Sequence, residues 1–416
     1  MMAPAEPWIL VLCHEFPPLG GGAGKNLQLL CKQLGLRGVE VRVWTSDPGT
    51  GRRWPYEFAV EYISVRRQER FETDLKGMAA FVAGAVLLAW RTRRSRPAAV
   101  FANLAIPAGL AGSVAARILK APLALWHQGS DVHSGKAEGP GRFQRVLLGL
   151  VWKRSALNFF VSPGLRDMAA GYGRQERPRI MPTCPSPEIL AAPIREAYGE
   201  AVSGNGAPAV GTPVAETAVA GAPGAYFLFL GRFDPVKDPV LAVEAMALCR
   251  AAGMAAFKLR MVGSGALRAD VERAVAAGSL GGLVSVEPAA PFESVPALMR
   301  SAYALVVPSK VEGFNTTILE AAHFGVPAVA SDAPGIRDFV RHRETGMLFP
   351  GNDAAGMAGA MQALASDPGL RDALGRNARA AALPYRPDRV ADSFLCELDA
   401  IAPGFGAHAR EAVAWN

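Results

Sequence analysis

Cysteine is scarce in this chain, and its placement says more than its number. The five cysteines among 416 residues (Cys13, Cys31, Cys184, Cys249 and Cys396) are scattered, odd in number and without any CxxC spacing. They imply neither a disulfide framework nor a cysteine-ligated metal, and they suit a reducing cytosol. Long hydrophobic runs are missing too. The longest, Gly77–Trp90 (GMAAFVAGAVLLAW), is too short to span a bilayer. The N-terminus lacks a basic stretch followed by an apolar one, so no signal peptide is expected. No DxD-like acidic pair marks a divalent-ion site, so no metal and no separate cofactor are expected. Nucleic-acid recognition motifs are absent and few aromatics interleave with the basic clusters, which argues against nucleic acid as a partner.

What the chain does have is an imbalance of charge. Residues 1–190 carry 25 Lys and Arg against 14 Asp and Glu, a formal +11, whereas residues 191–416 carry 19 against 23, a formal −4. The excess sits in Arg52–Arg53, Arg66–Arg67, Arg91–Arg96 (RTRRSR) and Lys153–Arg154. Any one cluster reads as a solvated helix end. The asymmetry of the whole half points to an anionic partner, either a lipid surface or a phosphorylated acceptor. Gly77–Trp90, beside RTRRSR, admits two readings: a helix lying in a lipid interface, or a core helix leading into strand Ala98–Asn103. Its apolar residues run around all sides, which favours the core helix.

At this length two α/β domains are the natural expectation. Strands are expected at Ile9–Cys13, Glu40–Thr45, Ala98–Asn103, Leu123–His127 and Leu157–Val161, with helices Lys25–Leu36 and Gly109–Leu119 between them. Strands Tyr226–Leu230, Leu259–Val262, Leu283–Glu287, Leu305–Val307 and Ala328–Ser331 follow, with helices Val240–Ala251 and Thr317–Phe324. Such alternation builds doubly wound parallel sheets, with ligands beyond the carboxyl ends of the strands. The expected organisation is an N-terminal Rossmann-like domain over 1–194, a flexible Ala/Gly/Pro-rich linker or insertion over 195–224 and a C-terminal Rossmann-like domain over 225–384. A helix and tail over 385–416 would pack back on the first domain. The two domains would face each other across a cleft.

The most informative segment is EGFNTTILE, Glu312 to Glu320. It passes from a buried strand, YALVVP, into a helical apolar pattern, so Glu312 falls in the loop and Glu320 about two turns into the helix. Between them Gly313, Asn315, Thr316 and Thr317 offer backbone N–H groups at a helix N-terminus, an anion site with a carboxylate on each side. The plainer reading is a capped helix with two incidental glutamates. A second anion-type segment, GRFDPVKDP, follows strand Tyr226–Leu230 and presents Arg232 and Lys237 five residues apart. Lys237 is expected to be exposed at the site. A third loop, MVGSG, holds Gly263 and Gly265, and a first-strand loop holds Gly20, Gly21, Gly22 and Gly24. His127, Asp131 and His133 lie in the loop LALWHQGSDVH, where His127 reads equally as a functional or a structural histidine.

GRFDPVKDP, MVGSGAL, VVPSKVEGFNTTILEAAHFGVPAVASDAPGIRDFV and GMLFPGND, with the opening EFPPLGGGAGKNLQLLCKQLGLRGVEVRVWTS, resemble retaining glycosyltransferases of family 4, which have the GT-B fold. The resemblance runs from about Trp8 to about Ala400. It implies sugar transfer from a nucleotide-diphosphate donor, UDP- or GDP-linked, to a hydroxyl of a saccharide or lipid-linked acceptor, in cell-surface polysaccharide or glycolipid synthesis. The catalytic group it implies is Arg232, Lys237, Glu312 and His127. The donor-binding group is Gly21, Gly22, Gly263, Phe314, Asn315, Thr316, Thr317 and Glu320. Arg232 and Lys237 would stabilise the leaving diphosphate without a metal, Glu312 would hold donor-sugar hydroxyls, and Glu320 the ribose diol. Three places depart from the pattern: Gln128 stands where a histidine is usual, IMPTCPSPE replaces an Asn-Gly pair, and VEPAAPF lacks a glycine. A cytoplasmic enzyme, peripheral on the inner membrane face, is the expected setting. The rivals are a nucleotide-sugar 2-epimerase of the same fold and a non-catalytic partner protein.

Overall fold

A computed structural model describes residues 7–50, 55–65, 74–133, 140–194, 225–410 and 415. The expected linker 195–224 lies outside the described residues, as do Arg52, Arg53, Arg66 and Arg67. The chain divides into two units, Met1–Cys184 with Pro384–Asn416, and Pro185–Leu383. Residues 185–194 thus group with the second unit.

Among the described residues the first unit holds seven strands: β1 (Trp8–Cys13), β2 (Glu40–Ser46), β3 (Ala59–Ile63), β4 (Ala99–Asn103), β5 (Leu123–His127), β6 (Leu157–Phe160) and β7 (Pro178–Ile180). All pair in parallel in the order β3-β2-β1-β4-β5-β6-β7. The central strands WILVLC, AVFAN and LALWH are buried almost throughout. Helices cover both faces of such a sheet, so its strands read as continuous apolar runs rather than alternating ones.

The C-terminal helix Pro387–Asp399 belongs to this unit. Phe394 lies against Phe101 and Phe159, with ring centroids 4.7 and 5.5 Å away. Arg37 Nε pairs with Asp392 at 2.5 Å, both side chains almost fully buried. Arg37 also donates to the Asp388 carbonyl at 2.7 Å. These contacts fasten it to helix Gly22–Gly35, which carries Gln33 and ends just before Arg37.

The expectation for the helix before β4 is corrected. Gly77–Trp90 is not buried on all sides. It lies in helix Leu75–Arg91, which Asp74 caps by accepting from the Gly77 N–H at 2.7 Å. The buried stripe is Gly77, Phe81, Ala85 and Ala89, mostly small residues that let the helix lie close to its neighbours. The opposite side leaves Leu75 80% exposed, Leu87 57% and Trp90 49%.

The second unit holds β8 (Tyr226–Leu230), β9 (Lys258–Val262), β10 (Val284–Glu287), β11 (Ala304–Val307), β12 (Ala328–Ser331) and β13 (Gly346–Phe349). They pair in parallel in the order β10-β9-β8-β11-β12-β13. Phe227, Phe257 and Tyr303 pack together in its core. Both sheets are doubly wound, as the alternating elements require. Their order reverses between β1 and β4 in one unit and between β8 and β11 in the other, which places ligand crevices beyond those strand ends.

Candidate functional site

In the second unit the reversal point brings together the two loops that carry the charged motifs. Gly231-Arg232-Phe233 leaves β8, and Ser309–Asn315 follows β11. Asp234 shapes the first loop: its Oδ1 accepts from the N–H groups of Val236 (3.0 Å) and Lys237 (2.9 Å). The Lys310 N–H then donates to the Val236 carbonyl at 2.8 Å, tying one loop to the other. This ladder brings Lys237 Nζ to 2.5 Å from Glu312 Oε1. Asn315 Nδ2 donates to the same oxygen at 2.9 Å. Asn315 Oδ1 also accepts from the Ile318 N–H at 3.2 Å and so caps helix Thr316–His323.

Glu312 is buried, and burial alone would raise its pKa. The Lys237 ammonium outweighs this, with hydrogen bonds from Ser309 and Asn315, and holds the carboxyl below its ordinary range. Glu312 is therefore a fixed anion held by Lys237, Ser309 and Asn315. Lys237 differs from expectation: its side chain is only 24% exposed and is already paired. Arg232 is the open cation, 71% exposed and bridged to Asp234 at 2.8 Å. Such an exposed pair is weak and gives way readily to a stronger anion.

The glycine loops divide by function. A Cβ on Gly263 would stand 1.9 Å from the Gly231 carbonyl oxygen, so glycine there lets the loop after β9 brace the loop after β8. Phe233 and Ser264 are joined by a 2.8 Å backbone hydrogen bond in the same brace. Phe314 is buried and meets Phe339 edge-on at 6.5 Å, which is packing. Thr316 and Thr317 are half-buried in the first helical turn. Glu320 is half-buried about one turn into the helix rather than two, and its Oε1 accepts from the Ser186 N–H at 3.4 Å. The structure thus gathers Arg232, Lys237, Glu312 and Asn315 and sets Glu320 apart on the helix.

In the first unit, Gly24 is needed because a Cβ there would lie 2.0 Å from the Glu15 carbonyl oxygen. Gly21 and Gly22 have no such need: both are exposed, and a Cβ on either would meet nothing within 4 Å. Behind this loop stands a cluster of amides that sequence reading missed. Gln128 Nε2 donates to the Ala23 carbonyl (3.1 Å) and to Asn103 Oδ1 (2.5 Å), while Asn26 donates to Gln128 Oε1 (3.1 Å). The signal was the sheet order: Asn103 ends β4, beside β1, and no local motif announces it.

His127 is corrected. It is fully buried in β5, stacked on Phe160 at 4.7 Å. Its Nδ1 lies 2.6 Å from Asp131 Oδ2, and the Trp152 indole N–H donates to its Nε2 at 3.2 Å. An indole N–H only donates, so Nε2 accepts and Nδ1 carries the proton. Strand alternation turns this side chain into the core and leaves Gln128 in the loop. Asp131 is structural too, accepting from the N–H groups of Ala105 (3.0 Å) and Gly129 (3.3 Å). Burial opposes its charge, but His127, with the backbone N–H groups of Ala105 and of Asp131 itself, holds its carboxyl below the usual range.

Two doubly wound parallel units with charged loops at one reversal point define a Rossmann-like protein of the GT-B type. The sequence pattern of the glycosyl transferases group 1 family matches residues 218–381, and that of the glycosyl transferase 4-like domain matches residues 21–184. The chain belongs to the group 1 glycosyltransferase family.

Among curated relatives, a D-inositol 3-phosphate glycosyltransferase of Acidothermus cellulolyticus is 38% identical over 180 residues, 41% of this chain and 40% of the relative. The aligned stretch thus spans less than half the length of that relative. Two solved structures share the fold. Sucrose-phosphate synthase of Thermosynechococcus elongatus has a TM-score of 0.75 at 20% identity, covering 93% of this chain and 96% of its own. Anabaena HepE, solved with UDP and glucose, has 0.71 at 18%, covering 95% and 100%.

Proposed function

We propose that this protein is a retaining glycosyltransferase that moves a sugar from a nucleotide-diphosphate donor to an acceptor hydroxyl. The observation that carries the reading is the Lys237–Glu312–Asn315 cluster beside an open Arg232, at the reversal point of the second sheet. A sugar nucleotide offers a diphosphate and several hydroxyls, and this site offers two cations and a fixed carboxylate. Arg232 and Lys237 would stabilise the leaving diphosphate as its charge grows, in place of a divalent ion, and Glu312 would accept hydrogen bonds from sugar hydroxyls. Glu320 would hold the ribose diol. Retention would follow if the leaving phosphate takes the acceptor's proton on the face it departs from.

Among the relatives, the HepE structure was solved with UDP and glucose, which makes a UDP-sugar the first donor to try. The curated relatives are named for inositol 3-phosphate, and a phosphorylated acceptor suits the basic first half. A lipid-linked acceptor in cell-surface polysaccharide or glycolipid synthesis, used by a cytoplasmic enzyme at an anionic membrane, suits it as well. Thermal-shift titration with UDP, GDP, ADP and dTDP tests the donor half. A saturable rise with one diphosphate, diminished by Arg232→Ala, is expected. No rise with any of them would remove the nucleotide from the site.

A further inference from the structure

Ten large apolar side chains are exposed among the described residues, and seven of them lie on three neighbouring helices of the first unit. Helix Leu75–Arg91 exposes Leu75, Leu87 and Trp90, in line with Ala79 and Ala83 along one side. Helix Leu110–Leu119 packs beside it and exposes Val114. Helix Arg142–Trp152, next in the row, exposes Phe143 (74%), Val146 (61%) and Leu150 (41%), a stripe at helical spacing. These three helices precede β4, β5 and β6, whose consecutive crossovers run in one direction, so they share one face of the sheet. Their apolar stripes therefore form one surface.

Apart from Asp74, which caps the first helix, the charge along these helices is of one sign. None of the three helices contains an acidic residue. Arg91, Arg93 and Arg94 end the first, Arg117 and Lys120 the second, Lys153 and Arg154 the third, all exposed. Cations at helix C-termini satisfy the helix dipole and need no other cause. Arg142 does: it is exposed at the N-terminus of its helix, where the dipole disfavours it. Arg93 lies over the Trp90 ring at 3.6 Å, placing a cation directly on the apolar edge.

We propose that this three-helix face docks on an anionic lipid bilayer, with the apolar stripes entering the headgroup boundary and the basic residues facing the phosphates. This deepens the membrane reading above by naming the surface. A second copy of the chain fits poorly, because a two-fold interface would set a basic face against itself. Nucleic acid calls for cations without an aliphatic centre, whereas lipid recognises the two together.

The full-length protein should co-sediment with vesicles of one-third phosphatidylglycerol in phosphatidylcholine. Binding should weaken steeply with added salt, because exposed charges are screened over about 8 Å at physiological ionic strength. Brominated lipid should quench the tryptophan emission, and Trp90→Phe should remove most of that quenching. Leu87→Glu with Val146→Glu should weaken vesicle binding about tenfold or more, since both positions would enter the boundary. These positions are exposed, so folding should be kept, and an unchanged nucleotide thermal shift separates failure of this surface from failure of the donor site. Absence of vesicle binding, binding untouched by the double substitution, or a dimer that the substitution dissolves would each overturn the proposal.

Discussion

Lys237 and Glu312 form a pair in which each side chain depends on the other. Glu312 is buried, so removing Lys237 leaves a carboxylate with only Ser309 and Asn315 as donors. Lys237→Ala is therefore expected to cost about 1–3 kcal/mol of stability. It should also lower kcat by roughly 2–4 kcal/mol of transition-state stabilisation. The sequence alone suggested an exposed lysine whose loss would leave folding intact, because a spacing of residues cannot reveal that its partner is buried. Adding Glu312→Gln to Lys237→Ala should recover part of the stability and none of the turnover. Thermal melts and initial rates on the wild type and these two variants decide this.

The same pair sets a pH dependence. The folded pKa of Glu312 lies below its ordinary value of 4.5, so the unfolded chain takes up the proton first on acidification. The stabilisation is complete above that ordinary value and is lost as pH falls through the depressed folded value. Glu312→Gln should accordingly flatten the acid limb of stability against pH, and an unaltered limb would show that the carboxylate is not held by its neighbours. The two glutamates should also separate in binding. Glu320→Gln is expected to weaken nucleotide diphosphate affinity, whereas Glu312→Gln should impair transfer and spare that affinity. Equal loss in both, by calorimetric titration, would refute the division of roles.

At the scale of elements, the sheets were legible where they are most buried. The central strands are continuous apolar runs, and their bounds were read to within a residue or so. The strands that escaped, β3, β7 and β13, all lie at sheet edges. They are three to five residues long, and β3 and β7 are largely exposed, so neither run length nor apolarity marks them. The exposed side of Leu75–Arg91 was misread for a related reason: small residues such as Gly77, Ala79 and Ala83 count as apolar wherever they point. In the site, Asn315 was legible as part of an N-terminus but not as the link between cap and carboxylate. Asn315→Ala removes both bonds, and a loss of about 1–2 kcal/mol is expected. It should be accompanied by a drop in kcat, because Glu312 loses one of its three hydrogen-bond donors, Lys237, Ser309 and Asn315. Asn315→Asp would keep the cap but set a second carboxylate beside Glu312, so it should restore stability less than turnover loss would suggest. Chemical denaturation with parallel rate measurement tests both.

For the whole molecule, the resemblance gave the fold and family, because glycine loops, basic loop and glutamate segment occur in order along nearly all of the chain. What order could not give was which histidine faces a ligand: alternation along β5 buries His127 and leaves Gln128 in the loop. Sugar transfer by the charged cluster of the second unit is read out by analysis of the products. The protein would be incubated with the nucleotide sugar whose diphosphate raises its melting temperature, with inositol phosphate, saccharide and lipid-linked acceptors. Products would be read by mass spectrometry and the new linkage by anomeric NMR. The expected result is an acceptor carrying one added sugar with the donor's anomeric configuration, stoichiometric release of nucleotide diphosphate, and loss of both in Glu312→Gln. Inversion at the anomeric carbon, isomerised donor without acceptor, or full activity in Glu312→Gln would contradict it.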